Sequence, residues 1–239
     1  MWRGRQQHCR FVHSVASLII FLPHHVLQAY VHQSTFENIV KLNVRYANSN
    51  KITSLDPNLF TNNLIFYVVQ LADNRITAIH PSKFRYNSRL RHLDISRNKI
   101  TLINPDTFIH NRELKLLPLQ GENITEISKS SFRGLENLEI LEISNNNIEE
   151  LKSLEFHQTF NLKHTNLAQK KIRSFNFELY FSMGSNYDIS NPPFQIGYLN
   201  VSSNGLTTLD VASMKWLYHT TTVTDLIGNP WNCDCSVLI

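Results

Sequence analysis

The sequence predicts an α/β solenoid: a curved right-handed coil with a parallel concave β-sheet of about eight short strands and a mostly irregular convex side. Three observations predict it. Aromatic residues recur every 24 positions, as Phe36, Phe60, Phe84, Phe108, Phe132 and Phe156, with Tyr180 next in the column. Aliphatic residues recur in the same frame, as Ile52, Ile76, Ile100, Ile124, Ile148 and Ile172. Asn supplies 26 of the 239 residues while Gly supplies only 7, so some repeated position demands Asn. That position runs Asn50, Asn74, Asn98, Glu122, Asn146 and Lys170. A fixed period of this size marks coils that bury their apolar side only by stacking on one another.

The chain opens with Arg3, Arg5 and Arg10, has no acid through residue 29, and carries a mostly apolar run over 11–22. As a helix that run spans roughly 18 Å, short of the ~30 Å hydrocarbon core. It is expected to be a secretory signal over 1–29, cleaved near Ala29, and no later stretch is apolar enough to span a membrane. Repeats then occupy 30–220. The first has Arg45 and Ala47 where apolar residues are usual, and two registers remain open there: an unshifted one, or one shifted through Ile39, Leu42 and Val44. Leu90-x-x-Leu93-x-Ile95-x-x-Asn98-x-Ile100 and Leu138-x-x-Leu141-x-Ile143-x-x-Asn146-x-Ile148 are complete units.

Each unit reads as a short strand with alternating faces. The Asn amide follows where the turn leaves backbone groups unpaired, and the later Ile, Leu and Phe close the coil. Pro118 removes a ladder donor from the fourth strand, and Thr165 stands where Leu is usual. Between Ile172 and Leu206 the spacing grows to 34, which admits one enlarged repeat or two shortened ones. Phe181-x-Met183-x-x-Asn186 favours two. The pattern resumes at Ile196-x-x-Leu199-x-Val201-x-x-Asn204, and 221–239 holds a last degraded repeat ending in Asn229-Pro230-Trp231-Asn232-Cys233-Asp234-Cys235.

Over residues 36–239 these units resemble the leucine-rich repeat family, in its 24-residue class common among extracellular proteins. The ending resembles the start of the cysteine-containing C-terminal cap of Toll-type receptors and chaoptin-like adhesion proteins. The irregular later repeats resemble insect leucine-rich immune proteins. The resemblance implies that Cys233 and Cys235 bond later cysteines, which this sequence does not contain, so a disulfide-linked dimer is one expectation and a partial chain another. It implies a secreted or cell-surface module for a protein ligand or co-receptor.

Chemistry is sparse by comparison. There is no Gly-x-Ser-x-Gly, His-Glu-x-x-His, phosphate-cradling Gly loop or Cys-x-x-Cys, so no catalytic residue, metal ligand or cofactor is assigned. Setting aside the first 29 residues leaves 20 basic against 19 acidic side chains, which is no footprint for nucleic acid. The outward strand residues are then the candidates for partner binding: Gln70, His92, Asp94, Ser96, Gln120, Glu142, Ser144, His164, Asn166 and Tyr198. Charge is segregated around them. Arg89, Arg91, Arg97 and Lys99 surround the third repeat, five Glu between 136 and 150 the fifth, and Lys163, Lys170, Lys171 and Arg173 the sixth. Such a pattern steers partners. Asn123-Ile124-Thr125 and Asn200-Val201-Ser202 are glycosylation sequons.

Overall fold

A computed structural model describes residues 10–14, 17–21, 30–31, 42–56, 59–61, 66–81, 83–128, 130–150, 156, 158–159, 161–168, 171–174 and 195–232. The principal sheet has ten strands. Eight lie in the expected repeats: β4 (Leu42–Tyr46), β6 (Val68–Gln70), β7 (His92–Asp94), β9 (Leu116–Pro118), β11 (Ile140–Glu142), β12 (His164–Asn166), β13 (Ile196–Asn200) and β14 (Thr221–Asp225). All pair in parallel, each with the next. Two more precede them. β1 (Arg10–Ser14) pairs antiparallel with β2 (Ser17–Phe21), which pairs parallel with β4.

Minor parallel pairs lie outside this sheet. They join β3 (Tyr30–Val31) to β5 (Ser54–Leu55) and β8 (Leu102–Ile103) to β10 (Glu126–Ile127). Among the described residues the rest of the turns is irregular apart from α1 (Val211–Thr220), which the repeat pattern did not foretell. Its local signals are present: the Asp210 side chain caps the Ser213 N–H, and Ser213, Trp216, Leu217 and Thr220 form one buried face.

The registers bear on both open questions. Val44 pairs with Val68 and Arg45 with Val69, so the first repeat keeps the unshifted 24-residue step. Asn166 pairs with Asn200, and the Ile172 N–H donates to Asn204 Oδ1 as its counterparts do in other turns. β12 and β13 are therefore neighbours in the sheet, with no strand of it between them, which runs against the expectation of two shortened repeats over 172–206. Phe181, Met183 and Asn186 themselves lie outside the described residues.

The core is the stack of inward columns. Val69, Leu93, Leu117, Leu141, Thr165 and Leu199 are all buried at the strand centres. Phe60, Phe84, Phe108, Phe132 and Phe156 are at most 2% exposed and form the spine, with Phe60–Phe84 and Phe132–Phe156 stacked at 5.4 and 5.5 Å. Phe36 and Tyr180 lie outside the described residues. Thr165 keeps the column filled, but its Oγ1 has no hydrogen-bond partner.

The Asn position is a ladder. Asn98 Nδ2 donates to the Leu71, Ile95 and Ser96 carbonyls, and its Oδ1 accepts the Ile76 N–H. Asn74, Asn146 and Asn204 repeat this arrangement. The residue before each rung turns the chain with positive φ: Ser49, Asp73, Arg97, Gly121, Asn145 and Ser203. A second ladder on the far side was not anticipated. Asn111 Nδ2 donates to the Phe84 and Asn87 carbonyls, and Asn87 Nδ2 to that of Phe60. Its signal was an Asn three residues after each of two spine Phe residues.

Candidate partner-binding face

Pairing in register lines the outward strand residues into rows. Val68, His92, Leu116, Ile140, His164, Tyr198 and Val223 make one row. The next runs Gln70, Asp94, Pro118, Glu142, Asn166, Asn200 and Asp225. The sheet thus places seven of the ten candidates side by side with half-buried side chains on one surface: Gln70, His92, Asp94, Glu142, His164, Asn166 and Tyr198, while Gln120 follows β9 in the column of Ser96 and Ser144. Ser96 and Ser144 lie deeper. Ser96 is 0% exposed with its Oγ and N–H both on Asp94 Oδ1, and Ser144 is 6% exposed.

The rows also explain why Asp and Asn recur there. Asp94, Asn166, Asn200 and Asp225 each accept, through Oδ1, the N–H two residues on. This local bond closes the end of the strand. Sequence reasoning assigned Asp94 and Asn166 to recognition and missed that structural duty.

Electrostatics differ along the face. Burial pushes the His92 imidazole below its ordinary range, against the opposing pull of Asp94, which favours the neutral ring. Its Nε2 and Gln120 Oε1 are both buried without a partner. Further along, His164 Nε2 lies 2.7 Å from Glu142 Oε1, and the His164 ring stacks on Tyr198 at 4.8 Å. At the rim, Glu139 bridges Lys115 and Lys163 at 2.6 and 2.8 Å, and those cations hold its carboxyl down at about 2.

Asn123 is exposed on the flank of the fourth turn, whereas Asn200 is half-buried within β13. Cys233 and Cys235 lie outside the described residues. Among the described residues no cluster of three or more His, Cys, Asp and Glu side chains could hold a metal ion, and no helix is long and apolar enough to cross a membrane.

A family profile described as leucine rich repeat matches residues 67–124 and 112–172. No curated protein matches the chain. Among solved structures, it is similar to a chain of the glycosylated Toll–Spatzle complex, a molecular hub in Drosophila development and innate immunity. That likeness has a TM-score of 0.71 at 20% identity and covers 83% of this chain and 27% of that one. A chain of the TLR13–ssRNA13 complex gives 0.67 at 20% identity, covering 86% and 32%. The APL1 leucine-rich repeat domain gives 0.70 at 14% identity, covering 90% and 64%. At these identities the likeness shows the solenoid fold, and together with the profile match it supports a leucine-rich repeat protein. The chain spans about a third or less of the first two structures and under two thirds of the APL1 domain.

Proposed function

We propose that this chain is a non-enzymatic recognition module of a secreted or cell-surface protein, binding a protein ligand or co-receptor on its concave face. The observation that carries this reading is the surface of seven half-buried polar and aromatic side chains held in register by the sheet, joined across β9 by Leu116. Solenoids present such surfaces to partners. The similar structures support binding by such a face: one is a complex with Spatzle and another a complex with a single-stranded RNA. An RNA ligand suits this chain less, because Asp94, Glu142 and Asp225 project from the face that would meet phosphates.

Testing begins with the partner cross-linked to the secreted chain at the cell surface. A concave double variant, Glu142→Arg with His164→Glu, should lower its capture about tenfold or more, while Arg133→Glu on the exposed convex side should leave it unchanged. Equal capture by both variants overturns the reading.

A second reading is that the chain forms part of a larger transmembrane receptor, which the 27% and 32% coverage of the first structures favours. A transcript running past Ile239 would establish it. A third, an intracellular repeat scaffold, is decided by compartment. Residues 1–29 are assigned to an export signal by composition, yet β1 and β2 fall within them and extend the sheet. N-terminal sequencing after secretion separates these outcomes: a start near residue 30 makes β4 the edge of the mature sheet, and an intact Met1 on cytosolic protein removes the extracellular reading.

In the secreted form Asn123 and Asn200 are assigned as glycan acceptors. Cys233 and Cys235 are assigned to a cap disulfide or, lacking partners, to a disulfide-linked dimer. Non-reducing gels with thiol counting test the latter: a monomer with both thiols titratable excludes it.

A further inference from the structure

The concave face has two unlike halves. Around β9 and β11 its rows carry Leu116, Pro118 and Ile140, an apolar centre of the usual interface kind. From β11 to β14 one row reads Glu142, Asn166, Asn200 and Asp225, a carboxylate, two amides and a carboxylate, with His164 and Tyr198 stacked alongside. No Lys or Arg occupies an outward position on these strands. The closest cation in sequence, Lys163, is exposed at the strand start and paired with Glu139.

The orientation of the two amides follows from their bonds. Asn166 Oδ1 accepts the Ala168 N–H at 3.1 Å, and Asn200 Oδ1 accepts the Ser202 N–H at 2.9 Å. An amide whose oxygen is held against its own backbone turns its NH2 group the other way, over the sheet face. Strand pairing sets neighbouring side chains about 4.8 Å apart. Two amide donors therefore stand side by side, with a carboxylate beyond each and an aromatic ring next to them.

We propose that the β11–β14 half of the concave face is a binding site for a free neutral oligosaccharide. A sugar hydroxyl both donates and accepts, so vicinal hydroxyls bridge an Asn NH2 donor and the Glu142 or Asp225 carboxylate beside it. The apolar face of a pyranose ring covers Tyr198. An anionic glycan would meet two carboxylates with no Lys or Arg on these strands to offset them. The site goes beyond the protein-binding reading and does not depend on it; it requires a free Asn200 amide, so it and a glycan on Asn200 are alternatives.

The test uses the full chain carrying Ser202→Ala, which removes the Asn200 sequon but keeps the Asn200 amide and the Ser202 N–H. Saturation-transfer NMR and calorimetry are run with mannotriose, maltotetraose and chitotriose, and with a heparin tetrasaccharide as the anionic probe. At least one neutral probe should bind, and heparin should not. Asn166→Asp keeps the acceptor for the Ala168 N–H but replaces the donor by an anionic oxygen. It should weaken binding about tenfold or more, as loss of one ligand hydrogen bond does, with the thermal midpoint unmoved. Tyr198→Leu, which keeps bulk and removes the ring face, should weaken it similarly and gives a second readout should the first variant melt early. Binding by no neutral probe, equal binding by heparin, or unchanged binding in both variants overturns the proposal.

Discussion

The third and fourth turns share one register and one core, yet they close with different chemistry. In the third, the Asn98 amide donates to three carbonyls and accepts one N–H. In the fourth, Glu122 is 4% exposed, and its two carboxylate oxygens accept the Asn98 and Ile100 N–H groups at 2.6 and 2.9 Å. An ionised carboxylate cannot donate, but the carbonyls its NH2 counterpart would serve are not orphaned. Leu119 O receives Asn146 Nδ2, Gln120 O receives the Arg97 N–H, and Ile95 O receives Asn98 Nδ2. Rungs overlap, so the ladder tolerates a missing donor where each carbonyl has a second claimant. What it does not tolerate cheaply is buried charge.

The same turn is thinned elsewhere. Pro118 has no N–H, β7 and β9 register at a single residue pair, and the Ile95 N–H reaches Pro118 O at 3.3 Å where the equivalent Leu71 bond is 2.7 Å. The seam between the third and fourth turns therefore has sparser backbone pairing than the seam before it.

The largest expected effect tests what the two turns have in common. Phe108 is fully buried in the spine between them, and Phe108→Ala should cost about 3–5 kcal/mol through lost apolar transfer and a cavity. A loss below about 1 kcal/mol in urea unfolding would mean the spine does not hold the turns together.

Next comes the amide rung. Asn98→Ala strands the Ile76 N–H and the Ile95 carbonyl, each of which has Asn98 as its side-chain partner. Two buried orphans should cost about 2–4 kcal/mol. Hydrogen exchange should quicken first at the Ile76 amide, and an unchanged rate there would show that the rung is not what protects it.

The carboxylate rung should differ in sign with pH. Burial raises the Glu122 carboxyl to about 7, against the pull of its two backbone donors and Arg97. The folded chain then holds this proton more tightly than the unfolded chain does. Its contribution to stability is full below about 4.5, falls as pH rises toward 7, and is flat above, a total on the order of 3 kcal/mol. Glu122→Asn removes the titration and restores the donor. Urea midpoints at pH 5 and pH 8 should separate for the parent relative to the variant, with the variant the more stable at pH 8. Parallel behaviour at both pH values would mean that the carboxylate is ionised throughout at no cost.

How much of this was legible in the sequence divides along physical lines. The spine, the strand columns and the Asn rungs were readable, because each demands one residue type every 24 positions. Glu122 was visible as a departure, but its double acceptance was not, because that depends on the relative height of two turns. The second ladder at Asn87 and Asn111 was hidden because two occurrences do not make a period. The concave rows followed from alternation alone, while the burial of Ser96 and Ser144 and the i+2 bonds of Asp94 and Asn166 did not. Those bonds arise from where each strand ends, which hydrophobic period does not fix. The direct pairing of β12 with β13 was not foreseen because a local pattern was weighed without knowing which strands pair.

The smallest effect concerns the residue that touches both rungs. The Arg97 N–H donates to Gln120 O, and its guanidinium takes both oxygens of Asp73 at 2.6 and 2.7 Å. A Cβ on Gly121 would meet its Cγ at 3.1 Å, so the side chain lies across the fourth turn just before Glu122. The bidentate bond holds the Asp73 carboxyl below its ordinary range. By that sign the pair stabilises the fold above the unfolded Asp pKa and loses its effect as pH falls through the lowered one, opposite to Glu122. Both partners are about half exposed, with side-chain exposures of 52% and 41%, so solvent and salt screen them and Arg97→Ala should cost only about 0.2–1 kcal/mol. The loss should shrink in 1 M salt. A larger or salt-independent loss would show that Arg97 acts by packing over Gly121 and supporting the carboxylate rung rather than by its ion pair. A double-mutant cycle of Arg97→Ala with Glu122→Asn distinguishes these: independent sites add, and coupling between them would place Arg97 within the fourth rung.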